Sequence, residues 1–110
     1  MSLPTTPSAA NDRLGRISAE DRAAVEFAAR HLHAQGAATV WLFGSLAKGR
    51  KPGVHSDFDF AVEGLPPDRF LGCLGFLLQK LPRSVDLVEM ESASDFLRER
   101  IRAEGFALAP

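Results

Sequence analysis

Two aspartates one residue apart, Asp57 and Asp59, stand in the stretch S-D-F-D-F-A-V. In an extended strand, residues two apart project from the same face, so both carboxylates reach a common point. Two such charges repel, and each makes ionising the other costlier. A divalent cation relieves that cost, and donors that are all oxygen suit Mg2+ or Mn2+. A solvated strand edge carrying two acids would give the same pattern. Upstream, an apolar run V-W-L-F ends in Gly44-Ser45. Where a strand gives way to a helix, free N–H groups favour phosphate. Glycine lets a ligand approach the backbone, and the serine hydroxyl can donate to a phosphate oxygen. A turn with an ordinary helix cap is the plain alternative. Lys48, Arg50 and Lys51 follow on the same segment, and could neutralise a triphosphate or simply form a solvated basic loop. The phosphate-loop pattern G-x-x-x-x-G-K-[ST] is absent. A third acid, Asp86, lies in the apolar context V-D-L-V. If its strand lies beside that of Asp57 and Asp59, it can join them as a metal ligand or accept the proton of an attacking hydroxyl. Alone it reads equally as a boundary acid at the polar end of a sheet.

These residues need elements to hold them. Residues 1–16, rich in Pro, Ser, Thr and Ala, show no periodicity and read as an arm. Ser18 is placed to cap a helix over about 19–35, with Asp21 in the reciprocal capping position. Val25, Ala28 and Leu32 form its apolar face, and Gly36 ends it. His31 and His33 fall on different helix faces, a poor spacing for one metal, and read as solvated. Residues 39–43 are β-branched and aromatic, hence a first strand. A short helix starts at Ser45, and residues 49–56 read as a loop. The second strand, 58–62, turns Phe58, Phe60 and Val62 to one side, and Asp59 and Ala61 join Asp57 on the other. Pro67 suits the first turn of a helix that runs through Leu71, Leu74, Leu78 and Leu81 until Pro82. Residues 84–90 read as a third strand, with Val85 and Leu87 opposite Asp86 and Val88. Ser92 can cap a last helix, with Asp95 in the reciprocal position and Gly105 as its stop. The mixed charges Arg98, Glu99, Arg100, Arg102 and Glu104 read as its solvated face. The order predicts a small α/β (α+β) domain over 17–110, with a three-stranded mixed sheet flanked by helices.

The totals bound the function. A chain of 110 residues is one domain's worth, with 45% apolar and 25% charged residues. A net charge of -1 gives no overall basic field for nucleic acid. Cys73, the single cysteine, excludes an internal disulfide and sits in an apolar helical pattern as a core residue. No apolar run approaches the ~20 residues that span a bilayer, and the start lacks the pattern of a secretory signal. The expectation is a soluble, cytoplasmic protein.

Taken together, F-G-S-L-A-K-G followed by S-D-F-D-F and a later acid resembles the nucleotidyltransferase superfamily typified by DNA polymerase β, with its h-G-[GS] and D-h-[DE]-h signature. Within it, the stretch is similar to the minimal nucleotidyltransferases, and the resemblance covers about residues 20–108. It implies that Gly44 and Ser45, with Lys48, hold the phosphates of a nucleotide, ATP by family habit. It implies that Asp57 and Asp59 ligate Mg2+ (or Mn2+), and that Asp86 is a third carboxylate sharing a metal and assisting deprotonation. Lys48 stands where the family usually has Arg, which keeps the charge and loses the bidentate fork. The loop 49–56 is also about a residue longer than the commonest form. The resemblance further implies a helical HEPN partner, an RNase toxin whose tyrosine receives AMP from the antitoxin. Two other readings remain open: a nucleotide- or partner-binding module without turnover, possible also as a homo-oligomer, and transfer to a small hydroxylated molecule, which normally needs an added acceptor domain.

Overall fold

A computed structural model describes residues 14, 17–48 and 57–110. Expectations for residues 1–13, 15, 16 and 49–56, including the arm and the loop with Arg50 and Lys51, lie outside the described residues.

Helix α1 (Ala19–Ala34) starts as expected, with the Ser18 hydroxyl accepting from the Asp21 N–H. The Asp21 carboxylate has a different partner from the one its spacing suggests. It is buried, and lies 3.0 Å from Nη2 of Arg83, an ion pair by distance without the angle of a directed hydrogen bond. The Arg83 guanidinium also lies over the Phe58 ring. Val25, Ala28 and Leu32 are fully buried along one stripe of α1.

Strand β1 (Thr39–Phe43) passes directly into the short helix α2 (Gly44–Ala47). Strand β2 (Phe58–Glu63) is followed by a 3-10 turn at Pro67–Arg69 and helix α3 (Phe70–Lys80). Strand β3 (Val85–Glu89) leads through a second 3-10 turn, Met90–Ser92, to helix α4 (Asp95–Glu104). This helix is capped by Ser94, not Ser92: the Ser94 hydroxyl accepts from the Leu97 N–H. Ser92 lies in the preceding turn, and the carbonyls of Met90 and of Ala93, just after the turn, accept from the Arg98 guanidinium.

The sheet has four strands, one more than the sequence suggests. Strand β4 (Phe106–Leu108) follows α4 at once and pairs antiparallel with β1, Val40 opposite Leu108 and Leu42 opposite Phe106. Three residues are too few to show an alternation of their own, and β1 supplies the template. The order is β3-β2-β1-β4, with β1/β2 antiparallel and β2/β3 parallel, so the sheet is mixed as expected.

Strand alternation divides the interior. One face carries Val40, Leu42, Phe58, Phe60, Val62, Val85 and Leu87, packed with the apolar stripe of α1 and with Cys73 and Leu77 of α3. Each large side chain buried here contributes about 1.5–3 kcal/mol. The opposite face carries Trp41, Phe43, Ala61 and Val88 under Leu97 and Ile101 of α4. Asp59 and Asp86 belong to this second face by strand parity. No helix among the described residues is long and apolar enough to cross a membrane.

His31 and His33 are not simply solvated. The His31 ring stacks on Phe76 at 4.2 Å between centroids, and burial lowers its pKa. The His33 ring nitrogens lie 3.2 Å from the Ala37 carbonyl and 3.0 Å from that of Leu108, tying α1 to β4.

Candidate functional site

The sheet brings the two motifs together at the end where β1 stops and β2 starts. Phe43, the last residue of β1, is opposite Asp59 across the antiparallel ladder. Asp59 is in turn opposite Asp86 across the parallel ladder of β2 and β3. Asp57 precedes β2 and is exposed, as is Asp86, while Asp59 between them is half-buried. Burial, first, and then the Asp86 and Asp57 carboxylates push the Asp59 carboxyl up to about 6. Desolvation and like charge both oppose ionisation, so the two causes add.

Gly44 joins this cluster through its backbone. Its φ of +79 lies in the left-handed region, and a Cβ there would collide with Oδ2 of Asp59. The glycine is therefore required twice, by conformation and by the carboxylate beside it. The Gly-Ser turn and Asp59 thus lie side by side, with Ser45 exposed next to them.

Lys48 caps the end of α2 one turn beyond Ser45. Its Nζ lies 3.1 Å from Oε1 of Glu104, at the end of α4, and that oxygen also lies 3.5 Å from Nη2 of Arg100. The Lys48 ammonium, donating to the Glu104 carboxylate, holds the latter below its usual range. Glu104 is the residue that sequence reasoning missed at this site. No local pattern distinguishes it from the other charges of its helix, and only the return of α4 across the sheet brings it to Lys48.

All the carboxylate donors are oxygen, and the like charge that adds to burial in raising Asp59 is a cost that a hard divalent cation would remove. Among the described residues, no group of three or more His, Cys, Asp or Glu side chains is already arranged to hold a metal ion. The residue types fit such an ion, with Asp59 and Asp86 in register and Asp57 adjacent.

The model of the polymerase beta nucleotidyltransferase family matches residues 30–109, which span β1 through β4. The chain belongs to this family. No curated protein matches the chain. Among solved structures, a toxin–antitoxin bound to AMP-PNP is similar at 26% identity with a TM-score of 0.64, covering 84% of this chain and 73% of that one. A point mutant of the toxin–antitoxin MntA-HpeT is similar at 28% identity and a TM-score of 0.60, covering 77% and 68%. A protein provisionally described as a minimal nucleotidyltransferase matches at 26% identity and a TM-score of 0.60, over 96% of this chain and all 100% of that one. The nucleotidyltransferase fold explains why the chain places a Gly-Ser turn against an acidic strand.

Proposed function

We propose that this nucleotidyltransferase moves AMP from ATP to a hydroxyl of a helical partner protein, as the antitoxin of a HEPN–nucleotidyltransferase pair. The observation that carries the reading is the abutment of Gly44 on Asp59, with Asp86 in register beside it. A turn suited to phosphate thus lies against carboxylates suited to a hard metal. The similarity to toxin–antitoxin structures, one of them holding AMP-PNP, supports the donor and the kind of partner.

In this reading Gly44 leaves room for the triphosphate at the backbone, and the Ser45 hydroxyl donates to a phosphate oxygen. Lys48 offsets phosphate charge. Asp57 and Asp59 would hold Mg2+ or Mn2+, and Asp86 would share it. Bound there, the ion would neutralise charge on the triphosphate and on the leaving pyrophosphate. Asp86 accepts the proton of the acceptor hydroxyl as its oxygen bonds to the α-phosphorus. The bond from that phosphorus to the bridging oxygen breaks, and pyrophosphate leaves. The chain's own part is positioning and fixed charge more than covalent chemistry.

The test uses the purified protein, α-labelled ATP, Mg2+ and the product of an adjacent gene for a small helical protein. Label should appear on that partner, and should vanish with Asp57→Ala/Asp59→Ala. No transfer, or undiminished transfer by the double variant, contradicts the proposal.

A further inference from the structure

We infer that Glu104 is a positioning residue for nucleotide binding: it holds the Lys48 ammonium beside the Gly44-Ser45 turn, and so acts on the phosphates through Lys48. The inference rests on the reading that Lys48 meets those phosphates.

The backbone that carries Glu104 is fixed. The next residue, Gly105, lies so close to neighbouring chain that a Cβ there would stand 2.5 Å from the Leu42 carbonyl oxygen, 2.7 Å from that of Ile101 and 3.0 Å from the Cβ of Phe43. Leu42 and Phe43 are the last two residues of β1, immediately before Gly44. The end of α4 is therefore clamped to the strand that delivers the phosphate turn. The Gly105 N–H donates to the Ile101 carbonyl, and β4 pairs with β1 from Phe106 onward, so the clamp is held from both sides.

Lys48 has the opposite problem. It is a long side chain on the last turn of a four-residue helix, and a free lysine stem surrenders substantial rotamer entropy when it is fixed on a ligand. The 3.1 Å contact to Glu104 pre-orders the stem before nucleotide arrives. Arg100, 3.5 Å from the same carboxylate, approaches from one turn earlier on α4. Among the described residues, one carboxylate thus meets two cations, one from α2's end and one from α4. The depressed pKa of Glu104 agrees with a carboxylate that stays ionised in this role.

The experiment measures Mg·ATP affinity of the full chain by calorimetry, with thermal melting to confirm folding. Lys48→Ala should weaken binding about 10-fold and Glu104→Gln about 3- to 5-fold. Glu104→Asp should recover most of the loss, because it keeps the charge. In the Lys48→Ala background Glu104→Gln should have no further effect, since its influence passes through Lys48. A merely structural role of Glu104 would lower the melting temperature and leave this non-additivity absent. Lys48→Ala weakened with Glu104→Gln at wild-type affinity or tighter would overturn the positioning role alone. Wild-type affinity in Lys48→Ala would overturn both this role and the phosphate reading beneath it.

Discussion

Asp59→Asn should stabilise the metal-free protein at neutral pH. In the folded state the Asp59 carboxyl is raised from 3.8 to about 6, by burial first and then by Asp86 and Asp57. A raised acid binds its proton more tightly folded than unfolded. Its ionisation therefore costs nothing below about 3.8, costs progressively more as pH climbs to 6, and carries its full penalty above that. At about 1.4 kcal/mol per pH unit the penalty is roughly 3 kcal/mol before screening. Asp59 is half-exposed, so solvent screening reduces this to about 1 kcal/mol. Asparagine removes the charge and keeps the shape. For a domain of this size that is a rise in Tm of about 4–8 °C. Calorimetric melts in EDTA at pH 7.5 and pH 4 read the effect directly. The gain should be present at pH 7.5 and vanish at pH 4. Mg·ATP should raise the Tm of the wild type and leave the variant unmoved, because the ligand that relieves the repulsion has lost its donor. A variant less stable than wild type at pH 7.5, or a gain equal at both pH values, would refute the electrostatic account.

Other outcomes follow from the same structure. Gly44→Ala must adopt a left-handed φ and press on Asp59, so urea denaturation should show a loss of about 2 kcal/mol or more, with Mg·ATP binding abolished. Asp21→Ala leaves Arg83 partly buried without its partner, and should cost about 3 kcal/mol in the same assay, with no direct effect on nucleotide affinity. His31 is held neutral by burial, so its contribution is complete above the unfolded value of 6.5 and is lost as pH falls through its lower folded value. His31→Phe should therefore flatten the fall in urea midpoint from pH 7.5 to 5.5, and equal slopes for both proteins would contradict this.

Strand parity was more legible than contacts between distant elements. The alternation of Phe58, Phe60 and Val62 against Asp59 and Ala61 separates the two faces of β2 as the structure does, although α4 buries Ala61 on the second face as well. Val85 and Leu87 place Asp86 correctly for the same reason. What sequence could not supply is contact between distant elements. Strand β4 exists because β1 offers an unpaired edge, not because Phe106-Ala107-Leu108 has a pattern of its own. Asp21 sits where a capping acid would sit, and a cation 62 positions away at Arg83 claims it instead. His31 and His33 look exposed on a helix net, yet Phe76 and the Leu108 carbonyl cover them. Glu104 reads as one solvated charge among five until α4 folds back over the sheet.

In the proposed site, which opens on the Gly44-Ser45 turn, Asp57, Asp59 and Asp86 hold one metal ion. Crystals soaked with ATP and Mn2+ test it by anomalous diffraction. Manganese should be bound by Asp57 and Asp59, within reach of Asp86, with triphosphate oxygens completing the shell at Gly44 and Ser45. Nucleotide bound at the turn with no manganese on these carboxylates, or manganese bound elsewhere, would contradict it.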